Sequence, residues 1–115
     1  MARPTDGSIP ADIETIIDEA TRRLVEAAHP DRIILFGSYA RGDFDDRSDL
    51  DFLVILPSVE DPFEDMTRLE RALLSLPVPA DVLVYSRDDV RERGHLRGTT
   101  LYHALTQGKV LHDTA

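Results

Sequence analysis

Asp49 and Asp51 stand two residues apart at the head of an apolar run, DLDFLVIL over 49–56. A third carboxylate, Asp81, enters a second such run, ADVLVYS over 80–86. Alternate side chains of a β-strand share a face, so Asp49 and Asp51 project together while Leu50, Phe52 and Val54 point the other way, toward a core. Two carboxylates whose backbones are about 7 Å apart on one face repel each other. The strand carries no Lys or Arg to offset them. A divalent cation would do so, and Mg²⁺ is characteristically shared between carboxylates and substrate phosphates. A polar strand start facing solvent accounts for the D-L-D triplet equally well. Asp81 reads as a loop–strand junction after LPVPA unless its strand neighbours 49–56, in which case three acids meet.

Gly37-Ser38 follows a short buried run, RIILF at 32–36, and precedes a possible helical turn at 39–42. Glycine admits a phosphate close to the backbone, and helix-start amides with a serine hydroxyl donate to its oxygens. An ordinary serine-capped turn explains the same two residues. The chain has no G-x-x-x-x-G-K-[ST] run, so any phosphate grip differs from a P-loop. Arg41 offers either a charge-assisted phosphate contact or a salt bridge to the acidic loop of Asp43, Asp45 and Asp46. Ser48 offers a cap or orienting group where the strand begins. The RGD at 41–43 lies inside this stretch and has little support as an adhesion signal. His29, His95, His103 and His112 show no metal-ligand spacing and read as scattered surface residues. Arg91, Arg93 and Arg97 read as a solvated helix face.

These groups must be positioned by alternating helices and strands. Residues 1 to about 10 form a polar lead-in, and a single domain is expected over 11–115. Ile13, Ile16, Ile17, Ala20, Leu24 and Ala27 recur at helical spacing over 12–28, and His29-Pro30 ends the helix. Strands are expected at 32–36, 49–56 and 80–86, with an amphipathic helix between the last two at 64–76. A short helix after Ser86, another at 99–107 and an edge strand at 109–113 complete the chain. The fold class is α/β, a small mixed sheet with helices packed on it.

Composition limits the setting. Thirteen Lys and Arg against 22 Asp and Glu leave a net charge of −9, which disfavours a non-specific grip on a nucleic-acid backbone. The absence of cysteine excludes disulfides and thiolate metal sites, and points to a cytoplasmic location. No apolar run approaches the roughly 20 residues of a membrane span.

Taken together, G-S-Y-A-R-G at 37–42, five intervening residues and S-D-L-D-F-L-V at 48–54 resemble the signature of the DNA polymerase beta-like nucleotidyltransferases. They are similar in particular to the minimal nucleotidyltransferases often paired with HEPN toxins. Asp81 within ADVLVYS matches the third acid of that pattern, and LYHALTQGKVLHD resembles the usual tail. Phe52 stands where leucine is commoner. The resemblance implies a polymerase beta palm-like fold and transfer of a nucleoside monophosphate from ATP, or another nucleoside triphosphate, to a hydroxyl. It implies Mg²⁺, two ions in such sites, held by Asp49, Asp51 and Asp81, with Asp81 receiving or orienting the acceptor's proton. Gly37 and Ser38 would hold the outer phosphates, with Arg41 and Ser48 as flanking groups. At 115 residues no acceptor domain is expected, so the acceptor would be a partner protein, a helical HEPN-type toxin in a hetero-oligomer. The alternatives are an antitoxin acting by occlusion and a nucleotidyltransferase for small molecules such as drugs.

Overall fold

The computed structural model describes residues 9–114. The expected loose lead-in therefore falls outside the described residues up to position 8. Of its remaining two residues, Ile9 packs against the core and Pro10 directly precedes the first helix. That helix, α1 (Ala11–Ala28), buries Ile17, Ala20 and Leu24 along one stripe. It stops at His29, whose left-handed φ of 46° lets the chain turn into buried Pro30.

The strands are β1 (Arg32–Phe36), β2 (Leu50–Leu56), β3 (Ala80–Ser86) and β4 (Lys109–Asp113). They form one sheet in the order β3-β2-β1-β4. β2 runs parallel to β3, and β1 is antiparallel to both β2 and β4. The sheet is thus mixed, as expected. β2 begins one residue later than the pattern suggested, leaving Asp49 just ahead of the ladder.

Both faces of the sheet are covered. On one, Ile33, Leu35, Phe52, Val54 and Val82 pack with Ile17 and Leu24 of α1 and with Leu69 of α3 (Pro62–Ala72). On the other, Ile34, Leu53 and Ile55 pack with Val90 of α4 (Arg87–Arg93) and with Leu101 and Ala104 of α5 (Thr100–Gln107). Every residue of β2 except Asp51 is buried in consequence. Period-2 alternation by itself assigns only Leu50, Phe52 and Val54 to the core. A central strand with helices on both sides buries its second face as well.

α3 is shifted from the expected 64–76. Asp61 Oδ1 accepts from the N–H groups of Phe63 and Glu64 at 3.1 and 3.2 Å, and Pro62 occupies the first turn, so the helix starts early. It ends at Ala72, whose carbonyl accepts from Arg23 Nη1 at 3.1 Å. That contact ties α1 to the end of α3. Arg87 similarly ties α4 to the entrance of β1, donating from Nε and Nη2 to Asp31 at 2.7 and 2.8 Å.

Candidate active site

The chain leaves β1 at Phe36 and turns through Gly37, at φ 78° and ψ −156°, into the four-residue helix α2 (Ser38–Arg41). This conformation is open to glycine and strained for any other residue. Gly37 is itself the residue ahead of the helix and no side chain caps α2, so the serine-cap reading of Ser38 does not hold. Tyr39 is buried and stacks on Phe44 with ring centroids 4.7 Å apart, which anchors α2 and the loop beyond it.

Phe36 pairs with Asp51 across β1 and β2, bringing the Asp51 carboxylate against Gly37. A Cβ on Gly37 would overlap Asp51 Oδ2 and stand 3.1 Å from its Cγ. Asp51 in turn pairs with Asp81 across the parallel strands β2 and β3. Register partners on adjacent strands share a face, so the two carboxylates project side by side. The backbone N–H of Leu50 donates to the Pro79 carbonyl at 2.9 Å, which extends the junction back to Asp49.

The electrostatics follow from this crowding. Burial pushes the Asp51 carboxyl above the ordinary carboxylate range, and the charges of Asp81 and then Asp49 push it further, with Arg41 opposing. Burial likewise raises Asp81, with Asp49 and Glu70 adding to the effect. Three acids at one end of two strands, mutually repelling, are hard oxygen donors suited to a divalent cation. Among the described residues, no three His, Asp or Glu side chains converge closely enough to form a cation site unaided. The donor chemistry therefore fits Mg²⁺ when other oxygens, from phosphate or water, complete its shell.

A cleft of about 500 Å³ opens beside these acids. Gly37, Ser38, Arg41 and Asp51 form one wall, and Thr100, His103 and Gln107 of α5 face them. Asp49 and Asp81 are outside this lining. Arg41 is exposed and donates from Nε to Asp43 Oδ2 at 3.3 Å, the acidic-loop pairing that the sequence allowed. Ser48 is turned away from the cleft. Its hydroxyl accepts from the Asp45 N–H at 2.8 Å, which steadies the loop leading to Asp49, and it lines a second cleft of about 330 Å³ with Tyr39 and Phe44.

Sequence reasoning missed two features. The α5 wall is one: His103, which by spacing reads as a scattered surface histidine, lines the cleft. The available signal was a polar stripe at positions 100, 103 and 107 on a helix that packs elsewhere through Leu101 and Ala104. The other is Glu70 on α3, whose Oε1 accepts from the Val82 N–H at 3.2 Å and fixes the entry of β3 beside Asp81. No local pattern marks it.

A glycine turn into a helix thus stands beside carboxylates at the adjoining ends of two parallel strands of an α/β sheet. The family model described as the nucleotidyltransferase domain matches residues 14–111, and the chain belongs to that family of transferases. A Methanocaldococcus jannaschii protein named "Putative protein adenylyltransferase" is 35% identical over 60 residues, covering 50% of this chain and 61% of that protein. The match therefore spans less than two thirds of that relative. A crystal structure of a "putative nucleotidyltransferase" from Sulfolobus solfataricus superposes with a TM-score of 0.58 at 22% identity, over 80% of this chain and 84% of that one. It shares the fold.

Proposed function

We propose that this chain is a Mg²⁺-dependent nucleotidyltransferase that moves AMP from ATP onto a hydroxyl of a partner protein. The observation that carries this reading is the pairing of Asp51 with Asp81 in register, with Asp51 closing against the Gly37-Ser38 turn of the cleft. The acceptor oxygen forms a bond to the α-phosphorus, the bond from that phosphorus to the α,β-bridging oxygen breaks, and pyrophosphate leaves with the electron pair. Asp49, Asp51 and Asp81 would hold Mg²⁺, which when bound offsets the charge of the phosphates and leaving group. Asp81 takes or directs the proton of the acceptor hydroxyl, a role that suits a carboxyl that burial raises above its ordinary range. Gly37 leaves the backbone open to the outer phosphates, and the Ser38 hydroxyl donates to them.

A protein acceptor is supported by the name of the Methanocaldococcus relative and by the charge of −9, which steers a basic partner toward the site and repels nucleic acid. The sequence resemblance suggests a helical HEPN-type toxin as that partner, with this chain as its antitoxin. The test is intact-mass analysis of the co-expressed partner after incubation with Mg²⁺ and each nucleoside triphosphate. The expected result is a gain of one AMP or more, absent with Asp49→Asn. A second reading is an antitoxin that neutralises its partner by occlusion, without transfer. A partner that stays unmodified yet is neutralised equally by Asp49→Asn would establish that reading and refute the enzymatic one.

A further inference from the structure

The order of the strands sets the direction in which a bound triphosphate runs. Asp81 lies on β3, Asp51 on β2 and the Gly37-Ser38 turn follows β1, so the three stand in sequence across the sheet. With the reacting phosphorus at the carboxylates and the outer phosphates at the glycine turn, the tail runs toward β1, and α5 packs over β1 on that face of the sheet. Leu101 and Ala104 bury α5 against Ile34 on β1, and the helix is held close at its end by Gly108. A Cβ at Gly108 would overlap Ile34 Cγ2 and come within 2.8 Å of the Leu35 carbonyl oxygen, so only glycine allows this approach.

The polar side chains that α5 presents to the cleft are Thr100, His103 and Gln107. All three donate hydrogen bonds. In a chain with 22 acids, α5 (TLYHALTQ) has none, so nothing on this wall repels an anion. Among the described residues, His103 and Arg41 are the only basic side chains lining the cleft, Arg41 on the glycine-turn wall and His103 on the α5 wall.

Resting on the nucleotidyltransferase reading, we propose that His103 and Gln107 receive the outermost phosphate and so make the site select nucleoside triphosphates over diphosphates. Thr100, one turn earlier, borders the same space. Selection arises because a diphosphate, placed by Ser38 and Asp51, ends short of α5 and leaves its donors unmatched, whereas the third phosphate reaches them.

The test measures calorimetric affinity for ATP, ADP and AMP, each with Mg²⁺, in the wild type, His103→Ala, Gln107→Ala and the double variant. His103 and Gln107 are exposed, so melting temperatures of the variants should match the wild type. Loss of hydrogen bonds to a charged phosphate should weaken ATP binding about tenfold or more in the double variant. ADP and AMP binding should stay unchanged, and the ratio of ATP to ADP affinity should collapse toward one. An unchanged ratio overturns the proposal while leaving the nucleotidyltransferase reading intact. So does an equal loss for all three nucleotides, which would place α5 against the nucleoside. Failure of the wild type to bind Mg²⁺–ATP at all would instead refute the underlying reading.

Discussion

Replacing Gly37 by alanine perturbs two things that the structure separates. The first is backbone strain, because φ 78° with ψ −156° costs a non-glycine residue about 1–3 kcal/mol. The second is collision, because the new Cβ overlaps Asp51 Oδ2 and the carboxylate must move. At about 2.1 cal/mol/K of unfolding entropy per residue, a chain of 115 residues loses roughly 4 °C of melting temperature per kcal/mol. Strain alone then predicts a drop of about 4–12 °C for Gly37→Ala. The collision adds to this only while Asp51 is present. Repeating the substitution in an Asp51→Ala background should therefore recover about 0.5–3 kcal/mol, the usual range for residues in contact. The assay is a four-protein cycle of thermal or urea unfolding in metal-free buffer. Equal losses in both backgrounds would refute the contact between Gly37 and Asp51. A loss below about 2 °C in both would refute the assigned backbone conformation as well.

Further outcomes follow from the same geometry. Asp51 has a raised carboxyl pKa in the folded protein, so its contribution favours folding most below the ordinary carboxylate range and fades as pH rises through the raised value. Metal-free Asp51→Asn should accordingly match or exceed wild-type stability at pH 7, and a clear loss there would mark this acid as structural. Asp31 has the opposite sign: Arg87 holds its carboxyl below the usual range, so its stabilisation is present above that range and is lost as pH falls through the lowered value. The stability difference between wild type and Asp31→Asn should shrink on acidification, which melting curves from pH 7 to pH 2 will show. Ser38→Ala should weaken triphosphate binding by about 1–3 kcal/mol in calorimetry with little change in melting, since Ser38 caps nothing. Phe52→Ala, at a fully buried position of the central strand, should cost about 3–5 kcal/mol in urea unfolding.

Local sequence was enough to draw most elements. RIILF and ADVLVYS coincide with β1 and β3 because short runs rich in Ile and Val suit a pleated, half-buried strand. The α1 stripe was equally plain, since its period is set by helix geometry within the segment itself. Strand period alone puts Asp49 and Asp51 on one face; Asp49 lies just ahead of β2, near enough for its charge to act on Asp51. α3 was misplaced at both ends because the Asp61 cap and the Arg23 contact outweigh the leucines that continue past Ala72.

Tertiary structure decided the rest. That Asp81 faces Asp51 depends on β3 lying parallel to β2, a pairing between residues 30 apart that no local pattern encodes. Glu70 meets the start of β3 only because α3 packs there. The α5 wall stands opposite Gly37 and Asp51 only because Gly108 lets its end descend onto β1. Sequence specifies which residues can share a face of their own element, since that periodicity is a property of the backbone. Which faces then meet is decided by how several apolar surfaces are buried at once, and that is settled only when the chain packs.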